Sequence, residues 1–405
     1  MNIGRVLMIG FEQSAWDDAL EQLLREVQPG GVIFFNRNTK GGAEAFRDLV
    51  SRVRETLAYP VLLAADVEGG QVDRLRDVLH PFPAPLSAAQ AHDDPLVRRF
   101  GALVGEALRA FGLNTNLAPV LDLASPVMGT RAAGERPETV TRFARNFLEG
   151  LAGQQVLACA KHFPGLRGGA VDTHELMAVI ETTAAEMLET DLAPFRDLAA
   201  ELPMVMMSHA SYPGLEPENG ETRPASMSPH VIGNILRGKL GFHGAILSDD
   251  LEMGAALSGG SVDQAAVACV EAGCDMALVC RDAENVRAAA KALTARAETD
   301  AAFAGRIETA TKTVAAVAAK LPLGPKHVDL ADLRQRIRRL TGMVEGMEAV
   351  GQGVRDLTVG SGFVKAKPRR PPGEGRGRGP RQPRRGGGPG RPGPDRGRPG
   401  GRGRR

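Results

Sequence analysis

The chain has 405 residues, 43% of them apolar, and this content excludes a wholly disordered protein. No run approaches the ~18 uncharged apolar residues of a membrane span, and the start of the chain carries no small-residue cleavage site, so we expect a cytoplasmic protein. The net charge of +2 hides a division, because residues 361–405 hold fifteen Lys or Arg against two acids and residues 1–360 carry a net −11.

Eight short apolar runs predict eight β-strands, and helical patterns separate them. The runs are Val6–Ile9, Val32–Phe35, Val61–Ala65, Asn114–Ala118, Val156–Ala160, Met204–Met207, Ala245–Leu247 and Met276–Val279. Alternating strands and helices indicate an α/β protein with a parallel sheet. Eight such strands favour a single-domain (β/α)8 TIM-type barrel over a doubly wound sheet.

Three helices are clearest from their apolar spacing. The first is predicted over Ala15–Val27, with Ser14 as its cap and Asp17 three residues later. The second carries Phe46, Leu49, Val50, Val53 and Leu57, and the last carries Leu330, Leu333, Ile337, Leu340 and Val344 on one stripe. The folded unit should close near Leu357, which gives a barrel domain over residues 1–360.

Residues 361–405 have the composition of a disordered tail. They include fourteen Gly and nine Pro and no aliphatic or aromatic side chain larger than Ala after Val364, so they cannot bury enough surface to offset the entropy of ordering. Their net charge of +13 allows nonspecific polyanion binding by counterion release. With no aromatic residue after Phe363 to stack on bases, sequence selectivity should be poor. A solubilising extension without a specific role is the alternative.

Polar residues come directly after most of the predicted strands. They are Asn36, Arg37 and Asn38 after the second, Asp66 after the third, Asp122 beyond the fourth, Lys161 and His162 after the fifth, Ser208 and His209 after the sixth, Asp249 and Asp250 after the seventh, and Arg281 and Asp282 after the eighth. Barrel enzymes place their chemistry at the carboxyl ends of the strands. Each residue alone is equally well a cap or an ion pair, but the set favours one site.

Several classes of site lack their motifs in this sequence. The four cysteines form no CxxC pair, which favours buried thiols over a zinc or redox motif. Gly30-Gly31 and Gly69-Gly70 lack the pattern of a phosphate loop. The histidines include no HExxH and no close pair, so we expect no metal and no cofactor. A strand-end carboxylate, a second proton-transferring group and polar side chains for hydroxyls are what glycoside cleavage needs.

Four long segments resemble the bacterial β-N-acetylhexosaminidases of glycoside hydrolase family 3, which are single-domain barrels. The segments are GGVIFFNRN (30–38), AADVEGGQVDRL (64–75), KHFPG (161–165) followed by Asp172-Thr173-His174, and LSDDLEM (247–253). The resemblance covers about residues 2–340. Where the family reads KHFPGHGDT, this chain has Leu166, Arg167, Gly168 and Gly169 after KHFPG, a departure that bears on how this loop folds over a substrate.

The resemblance implies a role for each matched residue. Asp249 would be the nucleophile, His174 the general acid and base, and Asp172 the residue that orients the imidazole. The residues implied to bind the sugar are Asp66, Arg74, Arg131, Lys161 and His162. His209 also matches a family position, and it could equally support the strand end.

The function expected from this resemblance is a retaining exo-β-N-acetylglucosaminidase. The implied substrate is the terminal N-acetylglucosamine of 1,6-anhydromuropeptides during cell-wall recycling. Another family 3 specificity, such as that of a β-glucosidase, is the first alternative, and the Asp-x-His unit argues against it. A weakened barrel that carries a polyanion-binding tail is the second.

Overall fold

The computed structural model describes residues 2–168, 178–217, 223–257, 260–321 and 324–360, with side chains of the last helix to residue 347. Eight parallel strands close into a barrel in which each strand pairs with its sequence neighbours and the first pairs with the eighth. The predicted (β/α)8 fold is therefore confirmed.

All eight predicted strands are present. They span Leu7–Ile9, Gly31–Phe34, Leu62–Ala65, Thr115–Asn116, Leu157–Phe163, Met204–Met207, Ala245–Asp250 and Met276–Val279. The fifth and seventh run further than predicted, so Lys161, His162, Asp249 and Asp250 end strands rather than follow them. An antiparallel hairpin, Val67–Gly69 with Val72–Asp73, extends from the third strand.

The barrel interior is packed with side chains, as this fold requires. Met8, Ile33, Leu62, Met204 and Leu247 belong to one buried cluster, which Val314 and Val317 of a later helix also join. The four cysteines are free and buried, as predicted.

Helices surround the barrel and bury their apolar faces against the outer side of the strands. Those that the structure describes are α1 Asp18–Val27, α2 Gly42–Leu57, α3 Pro85–Gln90, α4 Asp94–Ala110, α5 Pro137–Ala152, α6 Ala184–Glu189, α7 Ala193–Leu198, a π-helix His230–Lys239, α8 Val262–Ala272, α9 Ala283–Thr299, α10 Ala301–Ala318 and α11 Leu330–Gly360. None within the described ranges is long and apolar enough to cross a membrane.

The first helix begins later than the sequence predicted. Asp17, not Ser14, is its cap, and the Asp17 carboxylate accepts a hydrogen bond of 2.7 Å from the Leu20 N–H. The last predicted helix forms, with Leu333, Ile337, Leu340 and Val344 buried and Leu330 partly buried.

The chain divides into a compact unit over Met1–Asp356 and a second unit over Leu357–Arg405. Residues 361–405, and with them the predicted disordered tail, lie outside the described part of the chain.

Candidate active site

The carboxyl ends of the third, fifth and seventh strands bring most of the predicted site residues together. Asp66 follows the third strand, Lys161 and His162 lie within the fifth, and Asp249 lies within the seventh. Arg74 follows the hairpin, and Arg131 ends the short 3-10 helix Gly129–Arg131 in the loop after the fourth strand. Residues far apart in sequence thus converge on one end of the barrel.

Lys161 lies at the centre of a buried ionic cluster. Its ammonium Nζ is 2.5 Å from Asp66 Oδ1 and 2.7 Å from Glu68 Oε1. Glu68 also accepts two hydrogen bonds from Arg131, of 2.8 Å from Nε and 2.9 Å from Nη2. Planar pairing of this kind fixes the guanidinium in direction as well as in place.

Arg74 approaches the same cluster from the other side of Asp66. Its Nε lies 3.6 Å from Asp66 Oδ2, close enough for an ion pair but too far for a hydrogen bond. This Nε is buried and makes no hydrogen bond within the described residues.

The cluster keeps its carboxylates ionised despite their burial. Burial opposes the charge of Asp66, but Lys161 and Arg74 outweigh it and lower the pKa of Asp66 to about 2. Burial likewise opposes the charge of Glu68, but Lys161 and Arg131 outweigh it and lower the pKa of Glu68. Burial would lower the pKa of Lys161, but Asp66 and Glu68 raise it instead.

His162 is held by a fully buried carboxylate. Asp122 Oδ2 is 2.7 Å from His162 Nδ1 and accepts the His162 N–H at 3.0 Å, and Oδ1 accepts the Leu166 N–H at 2.8 Å. The carboxylate fixes the ring and leaves Nε2 as its free nitrogen. Leu166, at the point where the loop departs from the family pattern, is thereby tied to the same aspartate.

The two aspartates of the seventh strand have different surroundings. Asp249 Oδ1 accepts a 2.8 Å hydrogen bond from the Asp250 N–H, and Asp250 Oδ1 accepts one of 3.1 Å from the Glu252 N–H. Burial opposes ionisation of Asp249, but the neighbouring His162 ring and this N–H outweigh it and lower its pKa. Burial, with the charges of Glu252 and Asp249, raises the pKa of Asp250 to about 6.

His209 supports the end of the seventh strand. Its Nε2 lies 3.1 Å from the Asp250 carbonyl oxygen, which can only accept, so Nε2 carries the hydrogen. Nδ1 then accepts from the Ser226 hydroxyl at 2.8 Å. Burial lowers the pKa of His209, in agreement with this neutral form.

Other strand-end residues contact the protein itself. Arg37 donates to the carbonyl oxygens of Phe11 and Cys280, and the exposed Arg281 pairs with Glu12 at 3.2 Å. Within the described ranges, no three His, Cys, Asp or Glu side chains are placed to share a metal ion.

The predicted acid and base unit, Asp172 and His174, lies outside the described residues. The loop before it is anchored at Arg167, whose Nε is 3.2 Å from Asp191 Oδ2 and whose Nη2 is 3.1 Å from Glu186 Oε1. An arginine here, where the family pattern has glycine, thus joins the base of this loop to α6 and to the residues that follow it.

Sequence reasoning missed Glu68 and left Asp122 undecided. Glu68 lies two residues after Asp66 within the segment already singled out, so the signal was present, but its role depends on Arg131, 63 residues further along the chain.

The family description "Glycosyl hydrolase family 3 N terminal domain" matches residues 2–317, almost the whole barrel. The chain belongs to glycosyl hydrolase family 3. It is therefore a glycoside hydrolase, and the family explains why so many charged groups converge at the strand ends.

Similar proteins within family 3 carry related names. A β-hexosaminidase from Alkalilimnicola ehrlichii is 40% identical over 293 residues, which cover 70% of this chain and 82% of that protein. A β-hexosaminidase from Pseudomonas aeruginosa is 37% identical over 276 residues, covering 67% and 81%.

Two solved structures have the same architecture. The family 3 β-N-acetylglucosaminidase from Paenibacillus sp. str. FPU-7 superposes with a TM-score of 0.75 at 31% identity, over 84% of this chain and 67% of that one. NagZ from Neisseria gonorrhoeae gives a TM-score of 0.69 at 26% identity, over 84% and 97%.

Proposed function

We propose that this family 3 hydrolase is a retaining exo-β-N-acetylglucosaminidase that acts through a covalent glycosyl-enzyme. The observation that carries the proposal is the environment of Asp249, a strand-end carboxylate with a lowered pKa beside a buried group of fixed donors. A nucleophile must be ionised and positioned, and the lowered pKa and strand-end position of Asp249 support this role.

In the proposed first step, a carboxylate oxygen of Asp249 attacks the anomeric carbon of the terminal sugar. The bond from that carbon to the leaving oxygen breaks, and His174 donates the proton that the departing oxygen needs. Water then attacks the glycosyl-enzyme, His174 takes a proton from it, and Asp249 is released. Two displacements at the same carbon give net retention of configuration.

Asp172 would stabilise the protonated form of His174. Its place two residues before the histidine, together with the family resemblance of this segment, supports that role. A histidine used in place of a carboxylic acid needs such a partner, because its proton must be held until the leaving oxygen accepts it.

The sugar would be bound by polar groups at the strand ends that keep hydrogen-bonding capacity. Asp122 accepts from Nδ1 of His162 and leaves Nε2 of that ring available to accept from a hydroxyl group, and Arg74 lies beside Asp66 in the same site. Two carboxylates, Asp66 and Glu68, pair with three cations, Lys161, Arg131 and Arg74. Charge-assisted hydrogen bonds to hydroxyls strengthen as positive charge develops on the ring.

The substrate that we propose is the terminal N-acetylglucosamine of 1,6-anhydromuropeptides, released in the cytoplasm during cell-wall recycling. The names of the similar proteins, β-hexosaminidase and β-N-acetylglucosaminidase, support the sugar, and the Asp-x-His unit supports this subgroup against a β-glucosidase.

A panel of nitrophenyl glycosides tests the proposal. The purified chain should hydrolyse the β-N-acetylglucosaminide with a kcat/KM at least about 100-fold above that for the β-glucoside, because a pocket built to hydrogen-bond the acetamido group penalises its absence. A preference for the glucoside would identify the alternative specificity. Hydrolysis of none of these sugars, while the chain is folded, would contradict the proposal.

The tail supports a second, independent property. Its net charge of +13 favours nonspecific association with polyanions through counterion release. This would place the hydrolase near anionic polymers without any change in its chemistry.

A further inference from the structure

Glu68 is the most completely bonded carboxylate of the ionic cluster and has no assigned role. Its side chain is 1% exposed. One oxygen, Oε1, contacts both Lys161 Nζ at 2.7 Å and Arg131 Nη2 at 2.9 Å, and the other accepts Arg131 Nε at 2.8 Å. One carboxylate therefore joins Lys161 and Arg131, two of the cations that the family resemblance implies bind the sugar.

The donors of Lys161 and Arg131 can be counted. An ammonium has three N–H groups, and those of Lys161 serve Asp66 and Glu68, which leaves one. Arg131 uses Nε and Nη2 on Glu68, and its Nη1 makes no hydrogen bond to the described part of the chain. Glu68, together with Asp66 at Lys161, therefore fixes the directions of the remaining ammonium N–H and of the N–H groups of Arg131 Nη1.

The backbone that carries Glu68 is itself firmly held. Asn116, at the end of the fourth strand, exchanges two hydrogen bonds of 3.0 Å with the N–H and C=O of Val67. On the other side Gly69 has a φ of +98°, and a Cβ there would lie 2.2 Å from the Pro83 carbonyl oxygen. The hairpin is thus pinned on both sides of Glu68, as a positioning group requires.

We infer that Glu68 is a positioning residue of the glycosidase: it aims the free ammonium N–H of Lys161 and the free Nη1 of Arg131 at the hydroxyl groups of the terminal sugar. The inference rests on the proposed function. Glu68 touches no reacting atom and acts through these two cations. Its effect on the reaction is therefore on how tightly and in what orientation the sugar is held.

The decisive variant is Glu68→Gln, which keeps size and shape but removes the charge. The amide has one acceptor oxygen in place of two, and its N–H2 points at a cation, so neither Arg131 nor Lys161 keeps its direction. We expect kcat/KM to fall at least about 50-fold and KM to rise at least about fivefold. Glu68→Asp keeps the charge on a side chain one methylene shorter, and its loss should be intermediate.

A matched control separates positioning from mere stabilisation. Asp275 is likewise a carboxylate 2% exposed between two cations, Arg237 and Arg306, each at 2.8 Å, but it precedes the eighth strand at the opposite end of the barrel. Asp275→Asn should lower the melting temperature while leaving kcat/KM and KM within about twofold of the parent, since it removes a buried charge far from the sugar.

Coupling to Arg131 completes the test. If Glu68 acts through Arg131 and Lys161, the penalty of Glu68→Gln measured in an Arg131→Gln background should shrink at least about threefold. An equal penalty in both backgrounds, or a KM unchanged from the parent, would overturn the inference while leaving the glycosidase activity established. A parent chain that hydrolyses no sugar of the panel would overturn the proposed function and this inference with it.

Discussion

Asp249 and Asp250 are neighbours in the chain, yet their surroundings move their pKa values in opposite directions. The His162 ring and an N–H favour the charge on Asp249, whereas Asp250 lies between Asp249 and Glu252 and has a pKa of about 6. Adjacent carboxyl groups with separated pKa values can take different roles. This separation supports the proposal that Asp249 is the nucleophile and that Asp250 has a structural role.

This division predicts which aspartate is labelled by a 2-fluoro glycosyl inactivator. The fluorine slows breakdown of the intermediate, so the sugar should remain attached to Asp249 and be located there by peptide mass spectrometry. Asp249→Ala should lower kcat by at least about 10³-fold, whereas Asp250→Asn should cost far less. A label on Asp250 would reverse the assignment.

The raised pKa of Asp250 predicts a pH-dependent difference in stability. Its pKa of about 6 lies above the ordinary value of 3.8, so between these values the folded state binds more protons and stability falls as the pH rises. Asp250→Asn removes the titrating group and with it this fall in stability. The free energy of unfolding of the variant, relative to the parent, should increase by about 3 kcal/mol from pH 3.5 to pH 7. Urea unfolding at the two pH values measures it, and a constant difference would contradict it.

The proposed role of His174 predicts a dependence on the leaving group. Acidic phenols depart without a proton, so His174→Ala should be most harmful for substrates with poor leaving groups, and the deficit should shrink as the phenol becomes more acidic. Asp172→Asn should show the same trend more weakly, because the imidazole remains. Equal losses for all leaving groups would mean that His174 only positions its loop.

The sequence indicated which polar residues lie near the strand ends, but not how they pair. Asp66, Lys161 and Asp249 could be located because polar residues interrupt apolar runs. The contacts of Glu68 and Asp122 could not, because their partners lie 63 and 40 residues away. Such pairings depend on the loops, whose paths the local pattern does not determine.

At the scale of elements, two strands are longer than their apolar runs predict, because backbone pairing continues past the point where the side chains become polar. The apolar pattern predicts that the fifth and seventh strands end at their last apolar residue. Parallel pairing instead continues to Phe163 of the fifth strand, which pairs with Met207, and to Asp250 of the seventh, which pairs with Leu278. Backbone hydrogen bonds do not depend on the side chain. Polar residues can therefore lie within a strand where they face the site.

The contact between α4 and α5 depends on glycines. A Cβ at Gly150 would lie 2.2 Å from the Arg98 carbonyl oxygen and 2.5 Å from the Ala102 nitrogen. Because backbone atoms cannot move aside, Gly150→Ala should destabilise the fold by about 1–3 kcal/mol. Gly305 lies in α10 with nothing near its missing Cβ, so Gly305→Ala should stabilise by about 0.5–1 kcal/mol. Chemical denaturation measures the free energy of unfolding of both variants. A change in the same direction for the two variants would contradict the packing argument.

At the scale of the whole molecule, the charge of the chain is divided between two parts with different chemistry. Residues 1–360 carry −11 and hold every residue assigned to catalysis or sugar binding, whereas residues 361–405 carry +13 and no large apolar side chain beyond Val364. Truncation should therefore separate glycoside hydrolysis from polyanion binding. Neither activity should depend on the other.

Truncation after Gly360 tests this separation. Activity and melting temperature should stay nearly unchanged, because the removed segment has too little apolar surface to stabilise a fold, while retention on heparin or RNA should disappear. A full-length variant with the fifteen Lys and Arg of residues 361–405 replaced by Gln is the matched control, since it keeps the length and the Gly and Pro content, and it too should lose retention. For the intact chain, binding should fall steeply with salt and hardly vary with base sequence, because released counterions supply the driving force. A large drop in melting temperature on truncation would show instead that these residues pack against the folded chain.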